Sequence, residues 1–429
     1  MRVMRPVTSS AVLAWCIVLV LGGSVGGAVV LDTSARRTAA PAPVGALPTK
    51  TVLQRVLHPA PPRPAYLLGT SDAVFGSTVT RVSDQQAFGT SDPVLRPGHP
   101  RLQPWNADGS RLLLGLGDPG YLLDGASYAY RGERLPRASV GVWSNVDPDG
   151  FYSVDGNRLV RVSAGTGRLD LVHEFVGATG ISLGNGEGSP SNDDRTVVVV
   201  TRAPGRTSLV VYDLVRRAVV ATLELPAGSD RRLAWAAASQ SGDHVVVSWF
   251  DDGPLTGSGV DLYDRSLRYV RHLYPVSETA DLGIDSGGHD VLVTFDPALG
   301  KRDGDQLPVL TVRLADGAVT EQLRLDWVGS SISCRNTDRP GWCYLSDGAV
   351  DAPRARTGGF DEVYSVRLDG SRTVERFAHA QQSRGAASEW TTLAVPSRDG
   401  TRVVWGSDWR MGVRAPAYAY VASYRGGQP

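Results

Sequence analysis

From residue 65 onward, short apolar runs rich in β-branched and aromatic residues alternate with polar turns, and no stretch sustains a helical period. One pattern recurs: a turn built from Asp, Gly, Asn or Ser, then a strand. It reads Asn106-Ala107-Asp108-Gly109-Ser110-Arg111-Leu112-Leu113-Leu114, and returns over residues 147–154, 191–200, 239–249, 285–293 and 397–405. Asp and Gly tolerate the positive φ that tight turns demand. The apolar run after each turn suits an inner strand buried on both faces. Copies spaced about 40–60 residues apart match four-stranded propeller blades. The runs 208–213, 259–264 and 362–367 alternate apolar and polar residues and predict outer strands.

The predicted fold is therefore all-β, a seven-bladed β-propeller over residues 65–429. The region of Cys334 and Cys343 fills the wide gap before the last repeat and is read as a degenerate seventh blade. Six blades, with that region as an insertion, or eight are the alternatives. The C-terminal strand, residues 418–423, is expected to close the ring with a strand from residues 65–68 or 77–82. Closure of this kind leaves fewer exposed sheet edges.

The chain begins differently. Arg2 and Arg5 precede an uncharged, apolar or small run from Ala11 to Leu31. Residues 1–31 read as a signal peptide, cut after Ala28, or as a single transmembrane helix. Both place the remainder outside the cytoplasm. A lipid-attachment motif would need a small residue before Cys16, where Trp15 stands. Residues 32–64 are rich in Ala and Pro and read as a spacer.

Composition narrows the partners. Lys+Arg and Asp+Glu are both 44, which argues against a nucleic-acid partner. Ten tryptophans suit blade cores, and also flat platforms for sugar rings. Of the three cysteines, Cys334 and Cys343 lie close together in a polar loop, without the second Cys/His pair that zinc requires. In an exported protein they are expected to form a disulfide.

Several segments together resemble one family, the secreted bacterial WD40-like propellers: Gln103-Pro104-Trp105-Asn106-Ala107-Asp108-Gly109, Trp143-Ser144-Asn145, Ser182-Leu183-Gly184-Asn185-Gly186-Glu187-Gly188, Ser333-Cys334-Arg335-Asn336, Arg339-Pro340-Gly341-Trp342, Val374-Glu375-Arg376-Phe377-Ala378-His379 and residues 397–409. That family is more loosely similar to oligogalacturonate lyases, seven-bladed enzymes that cleave uronate polymers by β-elimination at a metal site. The resemblance implies a histidine before Ala-Asp-Leu-Gly, before Ile-Ser-Cys-Arg-Asn and before Ala-Val-Pro-Ser. Here Thr279, Ser331 and Leu393 stand in those places. Thr and Ser are poor ligands for a borderline metal, and Leu is none. No cofactor is expected, although a divalent metal is conceivable.

Elimination from a uronide needs a cation on the carboxylate and a base near the C5 proton. Arg335 suits the first role, and His379 or Asp281 the second. Trp105, Trp143, Trp342, Trp390 and Trp409, with Arg335 at the rim, are the expected ligand-binding residues. No Gly-x-Ser-x-Gly elbow is present, and the glycine-rich run at 184–188 lacks the lysine and helix of a phosphate loop. The expectation is an extracytoplasmic carbohydrate-binding propeller without efficient catalysis. The alternatives are an envelope protein-interaction scaffold and a uronate polysaccharide lyase with a degenerate metal site. The partner is thus a polysaccharide or an envelope protein, with the membrane touched only through the N-terminal segment.

Overall fold

A computed structural model describes residues 49–50, 53–54, 56–253, 257–275, 279–296, 307–325, 331–346, 359–383, 392–412 and 415–424. The N-terminal apolar run, most of the spacer and Trp390 lie outside these residues. Among the described residues no helix is long and apolar enough to cross a membrane.

The strands form seven small sheets, one per blade of a ring, each mainly antiparallel. Blade 1 contains Arg111–Leu114, Gly120–Asp124 and Tyr130–Leu135, with Trp105 bridging to Leu112 on the inner side. Blade 2 contains Val142–Trp143, Gly150–Asp155, Arg158–Ser163 and Leu169–Glu174. Blade 3 contains Gly180–Leu183, Thr196–Ala203, Arg206–Asp213 and Ala218–Glu224. Blade 4 contains Leu233–Ala238, His244–Gly253, Gly257–Asp264 and Tyr269–Tyr274. Blade 5 contains Ala280–Ile284, Asp290–Phe295, Leu307–Arg313 and Val319–Leu325. Blade 6 contains Ser331–Ser333, Trp342–Ser346, Glu362–Arg367 and Val374–His379, with Thr49–Lys50 on its outer edge. Blade 7 takes Val395–Pro396, Arg402–Ser407 and Ala417–Ser423 from the C-terminus, then Thr78–Arg81 and Gly69–Ser71 from the start of the ring.

Thr78–Arg81 is the ring-closing strand. It pairs antiparallel with the C-terminal strand, Val79 opposite Ala422 and Arg81 opposite Tyr420. This is the second of the two places the sequence offers.

Each repeated turn joins the innermost strand of a blade to the second. Gly109, Gly242, Gly288 and Gly400 adopt the positive φ that the turn requires. Asp and Ser side chains cap the turn from inside: Ser191 Oγ accepts from Thr196 N at 2.9 Å, and Ser397 Oγ accepts from Arg402 N at 3.0 Å. The turns also tie neighbouring blades. Asn106 Nδ2 donates to Pro148 O at 2.8 Å, Asn145 N to Asp194 Oδ1 at 2.8 Å, and Arg402 Nη1 to Gly125 O at 2.6 Å. In blade 6 the disulfide loop takes the place of this turn, and Cys334 and Cys343 are bonded.

The runs at 208–213, 259–264 and 362–367 are third strands, not the outermost ones. Leu209, Val211, Val260, Leu262, Val363 and Val366 are fully buried. Their apolar positions face the adjacent blades, which cover a third strand almost as completely as a second. The outermost strands, Leu169–Glu174 and Ala218–Glu224 among them, carry the half-exposed alternation instead.

Candidate functional site

Arg335 and Asp281 are brought together, but they satisfy each other. Arg335 Nε and Nη2 donate to Asp281 Oδ2 and Oδ1 at 3.1 and 2.9 Å, and both side chains are buried. Asp281 also accepts from Cys334 N at 2.7 Å, and Arg335 donates to Leu282 O at 2.6 Å. His379 lies elsewhere, on the outer strand of blade 6, buried beside Asp72 with Nδ1 and Oδ2 2.9 Å apart. The structure therefore does not assemble Arg335 and His379 into one centre.

The tryptophans separate in the same way. Trp105 is buried in the core shared by blades 1, 6 and 7, under the Arg402 guanidinium. Trp143 is buried between blades 1 and 2, its Nε1 donating to Pro104 O at 3.1 Å. Trp409 stacks on Tyr420 with centroids 4.6 Å apart. Trp342 is half-buried, with the Arg339 guanidinium 4.4 Å above its ring.

The central channel holds an assembly of its own. In blade 1 the innermost position is taken by an irregular segment around residues 96–106, which reaches across to other blades. Arg101 Nη1 donates to Ala280 O in blade 5 at 2.6 Å, and its guanidinium lies 4.8 Å from the Trp235 ring in blade 4. Ser333 of blade 6 donates to Pro100 O at 2.7 Å, and Gln103 Nε2 to Arg335 O at 2.7 Å. The glycine-rich run of blade 3 meets this segment. Glu187 pairs with Arg101, and its Oε1 lies 3.5 Å from His99 Nε2. Gly184 has positive φ, and a Cβ there would sit 1.9 Å from Ala236 O. The glycines thus allow close approach of two backbones, not phosphate binding. Burial, with Arg101 close by, pushes the His99 imidazole down to about 3 despite the opposing pull of Glu187. Burial raises the Glu187 carboxyl, but Arg101 and His99 outweigh it and leave the group below its ordinary range.

A concave site of about 520 Å³ opens between blades 2 and 3. Its walls carry His173, Phe175, Arg202, Arg206, Thr222 and Glu224. Phe175 and Tyr212 hold the His173 ring, with centroids at 4.7 and 5.0 Å. Ala203 and Arg206 flank the two-residue Pro204-Gly205 turn, where Gly205 has the φ of +70° that such a turn favours. Arg202 donates to two neutral acceptors, Ser182 Oγ at 3.1 Å and Asn185 Oδ1 at 2.5 Å. Asn185 in turn donates to Leu233 O and Ala234 O, so these bonds hold the Arg202 guanidinium on the blade 4 side of the sheet, while Arg206, on the opposite face, stands on the cleft side. No ion pair with a carboxylate is formed by Arg202 or Arg206 among the described residues. The cleft therefore offers one cation, Arg206, with the Glu224 carboxylate on the same face, two aromatic side chains and hydroxyls to a ligand of matching shape, within the usual size range of ligand sites. Nothing in the sequence distinguishes Arg206 from the other arginines, because the cleft is assembled from four strands of two blades.

Two donor sets bear on a metal. Thr279 and Ser331 stand at the start of the innermost strands of blades 5 and 6, and Leu393 stands just before that of blade 7. Ser331 Oγ is bonded to Ser346 Oγ at 2.6 Å, and Leu393 has no donor atom. These side chains do not fit a divalent-metal centre built on histidines. His58, Glu362 and His379 bring three ligand atoms within 4.8 Å of one another. There, however, Glu362 is held by both Arg376 Nε and Nη2, and both His379 ring nitrogens have acceptors.

No family model matches the chain, and no curated protein matches it. Solved structures do. An oligogalacturonate lyase in complex with manganese is 17% identical, with 83% of this chain and 95% of that chain covered and a TM-score of 0.59. An oligogalacturonate lyase from Vibrio parahaemolyticus is 14% identical, with 90% and 98% covered and a TM-score of 0.58. At these identities the likeness is one of fold, the seven-bladed propeller.

Proposed function

We propose that this chain is an extracytoplasmic propeller that binds an acidic carbohydrate and does not turn it over efficiently. The observation that carries this reading is the cleft between blades 2 and 3. The exposed Arg206 guanidinium, without a carboxylate ion pair among the described residues, stands there beside the aromatic His173 and Phe175, and a guanidinium matches a uronate carboxylate with two parallel hydrogen bonds. The fold shared with two oligogalacturonate lyases supports a uronide as the ligand class. Weak or absent elimination follows from the residues themselves. Arg335 and Asp281 are consumed by one another, and Thr279, Ser331 and Leu393 supply no histidine. The disulfide and the N-terminal apolar run support an oxidising compartment outside the cytoplasm.

Calorimetric titration of the full chain with polygalacturonate and with a neutral glycan, with and without divalent metal, tests the reading. Saturable binding of the polyuronide is expected, weakened at least tenfold in the Arg206→Ala variant. Binding that this variant leaves unchanged removes the cleft from the function. No binding to any glycan favours an envelope protein scaffold, for which the exposed Leu171, Val176, Val215 and Val219 on the outer edges of blades 2 and 3 speak.

A further inference from the structure

Residues 53–54 and 56–64, in the C-terminal part of the Ala/Pro-rich segment, lie against the flank of blades 6 and 7, and four side chains there reach main-chain oxygens. Arg376 Nη1 donates to Gln54 O at 2.8 Å, Gln381 Nε2 to Pro59 O at 3.0 Å, and Trp409 Nε1 to Pro61 O at 3.0 Å. His379 Nε2 lies 2.9 Å from Leu57 O. We infer that this flank is a recognition groove for a proline-rich extended peptide, occupied in cis by the chain's own segment.

The chemistry of the contacts points to proline. A proline has no N–H, so its carbonyl is the one main-chain group it offers to a partner. A groove lined by donors suits such a strand. Prolines at 59, 61, 62 and 64 fix their own φ and press the residues before them toward extended backbone. The strand is thus stiff before it docks and loses little entropy on docking, the basis of proline-rich recognition generally. Ring contacts set the register. The His58 ring meets His379 at 5.0 Å and Phe360 at 6.3 Å, and Arg63 lies 5.3 Å from the Tyr418 ring.

The donors are fixed from behind. Arg376 is held by buried Glu362, with Nε and Oε2 2.7 Å apart, and its guanidinium covers Phe75. His379 is held by Asp72 and stacks on Phe75 with centroids 4.8 Å apart. Trp409 stacks on Tyr420. Such preorganisation lowers the cost of binding and is more than a surface tether needs. Covalent attachment gives the native segment a millimolar-scale effective concentration, so a free peptide competes poorly with it in the intact chain.

The test uses the full chain with residues 53–64 replaced by a Gly/Ser run of equal length. A fluorescein-labelled peptide, Leu-Gln-Arg-Val-Leu-His-Pro-Ala-Pro-Pro-Arg-Pro, is titrated against it and followed by anisotropy. Saturable binding is expected to the replaced chain and at least tenfold weaker binding to the native chain. A peptide with its four prolines changed to glycine should bind at least tenfold more weakly. Adding Trp409→Phe to the replaced chain should weaken binding about fivefold, as loss of one hydrogen bond does. No binding to a replaced chain that keeps its circular dichroism, or equal binding of the glycine peptide, overturns the inference. If the replaced chain fails to fold, Trp409→Phe/Gln381→Ala in the native chain decides. Faster proteolysis within residues 53–64 supports the groove, and unchanged cleavage overturns it.

Discussion

Asp281, on the innermost strand of blade 5, grips Arg335, in the disulfide loop of blade 6, through both of its oxygens. The two blades are thus joined beside the channel by a buried ion pair. Removing one partner of such a pair leaves the other charge buried and uncompensated. Asp281→Ala is expected to destabilise the ring by about 3–5 kcal/mol in urea denaturation. Replacing both residues, as Asp281→Leu/Arg335→Met, should cost less than the single change. A double variant as unstable as the single would show that packing, not the uncompensated charge, sets the cost.

The disulfide closes a short loop in the same blade, with nine residues of separation between Cys334 and Cys343. Its effect in the chain-entropy view is to restrict the unfolded state. Cys334→Ser/Cys343→Ser should lower stability by roughly 2–3 kcal/mol with the ring fold retained. Both sulfurs are buried against blade 5, where a Cβ at Gly283 would lie 3.2 Å from Cys334 Sγ. Reagents that label thiols in the native protein should therefore leave both positions unmodified.

The repeats and the disulfide are legible in the chain alone, and the reason is chemical. Tight turns demand Asp and Gly at set offsets, so the repeats 106–114 and 397–405 announce themselves, and so do the blades between them. Two cysteines in one polar loop are equally plain. Burial direction is not written in the same way. The sequence does not say whether the ring of Trp105 or Trp143 faces a ligand or a neighbouring blade; the packing of blade on blade decides it. Arg335 and Asp281 were visible as polar residues, but their mutual pairing depends on residues 54 positions apart. The cleft at Arg206 and the groove at Trp409 escape notice for a related reason. One is assembled from two blades, and the other binds main-chain carbonyls, which every residue possesses.

The glycine-rich run 184–188 makes a sharper prediction about the channel. Gly184 combines a φ of +47° with backbone contact against Ala236 O, so no rotamer change can relieve an added methyl group. Gly184→Ala should destabilise by about 2–4 kcal/mol, the range for strain and overpacking together. Gly186, also at positive φ but with open space around it, isolates the strain component. Gly186→Ala should cost about 1 kcal/mol. Equal effects of the two changes would mean that the approach to Ala236 is not what holds the run in place.

His99 gives the channel a pH dependence whose sign is determined. Its ordinary pKa is 6.5, and burial beside Arg101 and Arg96 lowers it to about 3, with Glu187 the one carboxylate pulling the other way. Between those values the unfolded chain binds a proton that the folded chain does not, so stability rises with pH across the window. The contribution of His99 is fully present above pH 6.5 and is lost as pH falls toward 3. Glu187, lowered from 4.5, adds a loss in the same direction only in the more acidic part of that range. His99→Gln cannot take up the proton and should flatten the stability curve between pH 7 and 5. About a third of the His99 side chain remains open to water, so the slope removed should be smaller than that of one full proton. Urea midpoints at pH 7, 6 and 5 for both proteins measure this difference. Parallel curves would mean that the channel accommodates a charged imidazole by moving it away from Arg101.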